Sequence, residues 1–193
     1  PPALPTPPYL LSPPPDTLGP MPAPLAYLLT WRCYGTWLPG DDRGSVTHDN
    51  RPGAPFAAPS PALAAHARIL MQRSSFLLDA PRRALVRGVI EDVCTHRGWS
   101  ILALNVRTTH VHAVVKAEPP PEKVLVDLKA WSTRRLREAG LCPQNGKVWA
   151  AHGSTRWIDT QASLDRVIEY TLHEQGPVLD PSEQPVGDHA PDA

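Results

Sequence analysis

The order of hydrophobic periodicities along the chain restricts its fold more than any other feature of the sequence. Residues 25–38 alternate between apolar and other side chains, which is typical of a β-strand. Residues 79–98 repeat apolar side chains every three or four positions instead. That spacing predicts a helix, which Asp79 can cap and Gly98 can end.

The second half of the chain continues this alternation of strands and helices. Residues 99–116 are too long for one strand, so we expect strands at about 99–106 and 110–116, joined by a turn. A helix from residue 121 to Gly140, a strand within 147–159 and a last helix over 160–176 follow. The first six elements match the βαββαβ order of ferredoxin-like folds. We therefore predict an α+β domain with an additional C-terminal helix.

Proline and acidic residues mark the expected domain boundaries. Eleven of the 25 prolines lie in residues 1–24, a composition that cannot form a packed core. Residues 177–193 carry four acidic residues and no Lys or Arg. We expect both segments to be disordered tails, with one domain at residues 25–176. A short helix at about 62–73 is expected within a long Gly- and Pro-rich connection.

The overall charge of zero conceals a basic domain. The two tails hold five of the 19 acidic residues, so residues 24–176 have 19 basic against 14 acidic residues, a net charge of +5. This charge is compatible with binding to a phosphate backbone. Three widely spaced cysteines and the absence of a long apolar run predict a cytoplasmic protein without a membrane segment.

Two histidines one residue apart are the first candidates for chemistry. His110 and His112 point to the same face of a strand, where they could bind one metal ion with a third ligand from elsewhere. The alternative is a hydrogen-bonded pair at a sheet surface. A binuclear hydrolase would have an acid at Val114, and a ferrous oxygenase usually has one at His112, so both of those metal sites are disfavoured.

The last helix carries the second candidate group. Leu164, Val167, Ile168 and Leu172 are expected to form its apolar stripe, whereas Tyr170 lies away from it and shares a face with Glu174. A tyrosine with its ordinary pKa of about 10 is a poor nucleophile unless a cation assists it. If the histidines hold a metal ion, attack on a phosphodiester would yield a phosphotyrosine and a free 3′-hydroxyl.

These segments together resemble the single-tyrosine HUH transposases of bacterial insertion sequences and their REP-associated relatives. "THVHAVV" is similar to the HUH motif, and "VIEYTLHEQG" is similar to the tyrosine helix. "YGTWLPGDDRGSV", "LALNVRTTHVH", "DLKAWSTRRLRE" and "HGSTRWI" resemble further segments of such proteins. The resemblance covers most of residues 25–176 and implies a ferredoxin-like fold that cleaves and rejoins single-stranded or hairpin DNA.

The resemblance also implies roles for individual residues. His110 and His112 would bind Mg²⁺ or Mn²⁺, and Tyr170 would be the nucleophile, usually within a homodimer. The third ligand in the family is often Gln or Asn one turn after the tyrosine, where this chain has Glu174 with Gln175 next to it. Regular helical geometry favours Glu174, and a distorted helix end favours Gln175.

Basic residues near these motifs are candidates for DNA contact. They are Lys129, Arg134, Arg135, Arg107 and Arg156. Trp131 is expected to be core, because it fits the apolar stripe of its helix. Two other functions are open: a non-catalytic DNA-binding protein of the same fold, and a nicking enzyme of replication or plasmid transfer.

Overall fold

Four strands form one antiparallel sheet in the computed structural model, which describes residues 23–45 and 57–175. The strands are β1 (Ala26–Arg32), β2 (Ser100–Val106), β3 (His110–Lys116) and β4 (Ser154–Ile158). They lie in the order β2-β3-β1-β4, and each neighbouring pair is antiparallel. β2 and β3 are adjacent and joined by a short turn, in agreement with the predicted hairpin.

The helices are α1 (Pro61–Ile69), α2 (Ala80–Arg97), α3 (Pro121–Glu138) and α4 (Gln161–His173). α1 and α2 lie between β1 and β2, α3 lies between β3 and β4, and α4 follows the last strand. The mixed α+β class is therefore confirmed. The strand–helix–strand–strand–helix–strand order, with a further helix at its end, also agrees with the periodicities.

Local sequence signals explain where α2 begins and ends and where α4 begins. The Asp79 carboxylate accepts a hydrogen bond from the Arg82 backbone nitrogen at 3.0 Å, and Gly98 ends α2 in the left-handed conformation with φ of 69°. The Thr160 hydroxyl accepts from the Ser163 backbone nitrogen at the start of α4. These caps fix the length of each helix against the sheet.

The sheet separates two cores of unequal size. α2 and α3 cover one face, where buried residues of both helices pack against Tyr27, Leu29 and Trp31 of β1. α4 covers the other face with a smaller cluster, whose buried members are Ala26, Ala103, Val114, Ile158, Leu164 and Val167. The residues of β3 that alternate with the large core therefore face α4.

Two expected core residues are exposed. Trp131 is 39% exposed, because the buried stripe of α3 passes from Leu128 through Ser132 to Leu136 and leaves Trp131 at its edge. Leu172 is also exposed, since Thr171 takes the buried position in the last turn of α4. Both predictions were wrong because a small polar side chain, which hydropathy does not select, faces the sheet.

Most of the two predicted tails lies outside the described residues. Residues 1–24 and 177–193 lie outside the described residues, except for residues 23 and 24. Part of the Gly- and Pro-rich connection, residues 46–56, also lies outside them. Among the residues that are described, none of the helices combines the length and apolar character needed to cross a bilayer.

One side-chain hydrogen bond joins α4 to the sheet and generates a prediction. The Asn105 side chain donates to the Thr171 carbonyl oxygen at 2.8 Å. We expect Asn105→Ala to lower the free energy of unfolding by about 1–2 kcal/mol, because the carbonyl loses its side-chain partner between helix and sheet. Urea denaturation measures this change.

Gln161→Ala is the matched control for that substitution. It removes an exposed amide that bonds Asp165 within the same helix, and should cost less than about 0.5 kcal/mol. Equal losses in the two variants would contradict an anchoring role for Asn105.

Candidate active site

The two histidines lie at the start of β3, on the face that α4 covers. Their ring centroids are 4.8 Å apart, and the rings meet edge to face. His112 is buried, and His110 is half-buried. The predicted placement of both imidazoles on one face therefore agrees with the structure, and the rings are close enough to share one ion.

Threonine hydroxyls orient both rings. Thr30 Oγ1 lies 2.8 Å from His112 Nδ1, and Thr109 Oγ1 lies 3.0 Å from His110 Nδ1. Each Nδ1 is thereby engaged, which leaves Nε2 of each ring as its remaining ligand atom. This arrangement is typical of histidines that bind metal through Nε2 while a hydrogen bond at Nδ1 orients the ring.

Both imidazoles are neutral at physiological pH. Burial, and to a lesser extent the nearby His112 and Arg32, lower the pKa of His110 to about 3. Burial and the charge of Arg32 lower the pKa of His112 to about 4. Metal binding requires the neutral form, so neither histidine has to lose a proton before it can coordinate an ion.

Tyr170 of α4 stands against the histidine pair. Its ring centroid is 5.7 Å from that of His112, with the planes at 79°. The side chain is 39% exposed, so an external substrate can reach it. The described residues of a single chain thus bring the phenol and both imidazoles together.

Gln175, rather than Glu174, comes to the imidazoles. The Gln175 side chain interacts with both His110 and His112, and its Nε2 donates to the Tyr170 carbonyl oxygen at 3.0 Å. Glu174 is exposed at the C-cap of α4. The structure therefore brings Gln175, and not Glu174, to the histidines, and the identity of the third metal ligand stays a prediction.

The reason lies in which face of α4 meets the sheet. Gln175 follows Leu164 by eleven positions, so a 100° step brings it back to within about 20° of that buried residue. The histidines lie on the sheet beneath this buried stripe, and Tyr170 contacts His112 from the border of the stripe, whereas Glu174 is exposed. The helix also ends at His173, and Glu174 has φ of −96° and ψ of 16°.

Two arginines border the site. Arg107 is buried and donates to the Gln175 carbonyl oxygen at 2.9 Å, so it holds the chain just after α4. Its predicted DNA contact stays a prediction. Arg32, at the end of β1, interacts electrostatically with His110, His112 and Tyr170, and burial lowers its pKa to about 10.

Sequence reasoning missed Arg32 and Thr30, although the alternation of β1 contained a signal. The large apolar residues Tyr27, Leu29 and Trp31 occupy one face of β1, and these two polar residues fall on the other. In the antiparallel register, Thr30 pairs with His112 and Arg32 pairs with His110. The pairing of distant strands is what makes these residues part of the site.

The other predicted DNA contacts lie away from the histidines. Arg134 and Arg135 are exposed on α3, beyond the opposite face of the sheet, and both pair with Glu138. Lys129 of the same helix donates to the carbonyl oxygens of residues 150–152. Arg156 is exposed on β4. Near Arg134, the exposed Trp131 ring lies 5.3 Å from the guanidinium carbon.

The donor set of the site is two imidazoles and one amide. Within residues 23–45 and 57–175, no group of three or more His, Cys, Asp or Glu could hold a metal ion. Two nitrogen ligands and the amide of Gln175 nevertheless fit a divalent cation that keeps open positions for water or substrate.

Comparisons with known proteins agree with the family resemblance. The sequence matches the family described as Transposase IS200 like over residues 61–172, more than half of the chain, and this segment includes His110, His112 and Tyr170. A comparison with curated proteins returned no match.

Two solved structures are similar to this one. One is a REP-associated tyrosine transposase bound to a REP hairpin, at 12% identity and a TM-score of 0.43, with 76% of this chain covered. This chain spans 63% of the length of that transposase. The other is a candidate transposase from Deinococcus radiodurans R1, at 17% identity and a TM-score of 0.40, with 80% of this chain and 94% of that one covered.

The neutral histidines predict a stability that depends on pH. Their folded-state pKa values of about 3 and about 4 lie below the ordinary value of 6.5, so the unfolded chain binds more protons as the pH falls. We expect the free energy of unfolding of the metal-free protein to decrease below pH 6.5, by at most about 1.4 kcal/mol per pH unit for each histidine.

Urea denaturation at pH 7, 6 and 5 in EDTA measures this dependence. A variant with both His110→Asn and His112→Asn removes the two titrating groups and should show a shallower slope between pH 6.5 and 5. If the variant and the wild type lose stability equally over that range, the histidines are not buried in the neutral form.

Proposed function

The chain belongs to the family of IS200-like transposases, and from this premise we propose that it cleaves and rejoins single-stranded DNA through a covalent bond to Tyr170. The observation that carries the proposal is the contact between the Tyr170 and His112 rings, 5.7 Å apart, beside Gln175. A nucleophile, two neutral ligands and a third donor thereby meet where the two central strands end, within reach of solvent through Tyr170.

The proposed cleavage is an in-line displacement at phosphorus. The Tyr170 hydroxyl oxygen forms a bond to phosphorus, and its proton passes to solvent. The bond from phosphorus to the 3′ oxygen breaks, and the departing oxygen takes up a proton to become a 3′-hydroxyl. The 5′ phosphate stays on Tyr170, and attack by another 3′-hydroxyl reverses the step and rejoins DNA.

His110, His112 and Gln175 would hold Mg²⁺ or Mn²⁺, which supplies Lewis-acid activation of the phosphate when bound. Because Gln175 Nε2 donates to the Tyr170 carbonyl oxygen, its Oε1 is the atom suited to coordination. Imidazole nitrogen is a better donor to Mn²⁺ than to Mg²⁺, so the ligand set favours Mn²⁺.

We propose that DNA is bound over more of the domain than the cleavage point. Arg134 and Arg135 can neutralise phosphates, and the exposed Trp131 offers a face for base stacking. The homodimer and the domain limits of 25–176 remain parts of this proposal. One chain contains a full set of site residues, so the first cleavage does not require a tyrosine from a partner.

A covalent adduct assay tests the proposed function. Labelled single-stranded DNA from the flanks of the native gene, incubated with the protein and Mn²⁺, should yield an adduct that survives denaturing electrophoresis. We expect Tyr170→Phe to abolish the adduct, because it removes the attacking oxygen, and EDTA to prevent it.

Tyr34→Phe is the matched control and should form the adduct normally. Binding of DNA without an adduct, in Mn²⁺ and also in Mg²⁺, would favour a non-catalytic DNA-binding protein. An adduct that persists in Tyr170→Phe would assign the nucleophile to another residue.

Neighbouring substitutions distinguish the two candidate third ligands. We expect Gln175→Ala to weaken the apparent affinity for Mn²⁺ in the adduct assay by at least about tenfold, since it removes a proposed ligand. Glu174→Ala should change it by less than about threefold, because that side chain points to solvent. A Mn²⁺ titration measures both, and the reverse ranking would restore Glu174 as the ligand.

A further inference from the structure

Arg32 lies within the proposed cleavage site but has no part in binding the metal. It is the last residue of β1 and pairs with His110 in the antiparallel register. It follows Thr30, which contacts His112, by two positions, so both side chains leave the same face of the strand. Arg32 therefore lies at the end of the central strand β1, where it interacts electrostatically with Tyr170 and both histidines.

An indole ring holds the Arg32 guanidinium. The guanidinium carbon lies 3.6 Å from the centroid of the Trp37 ring, close enough for stacking. Trp37 is itself fixed, because its Nε1 donates to the Gly44 carbonyl oxygen. Stacking of this kind restricts the guanidinium to one plane while leaving the N–H groups at its rim free to donate.

Arg32 has no direct ion-pair partner in the part of the chain that the structure describes. Asp41, the nearest acidic candidate, is taken by Arg43, with contacts of 2.6 Å from Nε to Oδ1 and 2.7 Å from Nη2 to Oδ2. Within residues 23–45 and 57–175, Asp41 attracts Arg32 only through space, and Arg32 makes neither an ion pair nor a side-chain hydrogen bond. A half-buried, oriented cation without a directly bonded anion is costly unless a ligand completes it.

We infer that Arg32 binds the non-bridging oxygens of the phosphodiester that Tyr170 attacks. The planar fork of an arginine matches two phosphate oxygens, and negative charge on those oxygens is greatest as phosphorus gains its fifth bond. Arg32 keeps its proton throughout and only donates hydrogen bonds. The same contact stabilises the phosphotyrosine until the strand is rejoined. This inference rests on the proposed function, since it names the contact that the same site makes with its substrate.

Two substitutions at Arg32 test the inference in the full chain with Mn²⁺. We expect Arg32→Gln to slow adduct formation at saturating DNA by about 100-fold, as loss of a donor to a developing oxyanion does. Arg32→Lys keeps the charge without the fork and should lose about tenfold. Arg87→Gln, which removes an arginine from the exposed surface of α2, is the control and should react as the wild type does.

A modified substrate separates a phosphate contact from a structural role. A methylphosphonate at the cleaved position replaces one charged oxygen with a methyl group. For one stereoisomer, the rate ratio between wild type and Arg32→Gln should shrink towards one, because the contacted oxygen is absent from both reactions. A ratio that stays near 100 for both stereoisomers would mean that Arg32 supports the fold and does not bind phosphate.

The results also separate this inference from the proposed function. If the wild type forms the adduct and Arg32→Gln forms it equally fast, the inference on Arg32 fails and the proposed function stands. If the wild type forms no adduct, the proposed function fails. In that case, fluorescence anisotropy compares the DNA affinity of Tyr170→Phe with that of the double variant that also carries Arg32→Gln. Equal affinities would overturn the phosphate contact, and weaker binding by the double variant would support it.

Discussion

The antiparallel pairing of β1 with β3 at the centre of the sheet is the constraint on which the site depends. Its register sets Thr30 opposite His112 and Arg32 opposite His110. Because paired residues point to the same face, four polar side chains gather on the face that α4 covers. A slip by one residue would turn them into the large core beneath α2 and α3. The apolar residues of that core therefore enforce the geometry of the site.

The position of Tyr170 depends on how the last helix is attached to this sheet. Leu164 and Val167 are buried in the first turns of α4, but the apolar cluster that they join is small. Nearer its end, polar contacts take over: Asn105 holds the Thr171 carbonyl, and Arg107 holds that of Gln175. Hydrogen bonds are directional, whereas apolar burial is not. These two contacts therefore fix the position of the last turn of α4, and with it Tyr170, relative to the histidines.

The sequence predicted those parts of the structure that depend on local periodicity, and it failed where distant elements meet. The hairpin, the caps of α2 and the shared face of the histidines follow from patterns of a few residues. Arg32 became visible only when β1 was paired with β3, because nothing within β1 identifies its partner strand. Gln175 required knowing that the buried stripe of α4 covers the histidines, and Trp131 was misplaced because Ser132 occupies the core.

The electrostatics of the site follow from the same pairing. Arg32 lies beside both imidazoles, and its positive charge opposes their protonation, in addition to the effect of burial. A cation in this position would be unfavourable in a site that had only to hold a metal ion, because like charges repel. It becomes favourable when the site must also hold a phosphodiester, whose negative charge interacts with metal and guanidinium at once. The charge of Arg32 thus adds to burial in keeping both imidazoles neutral, and the proposed substrate requires the same charge.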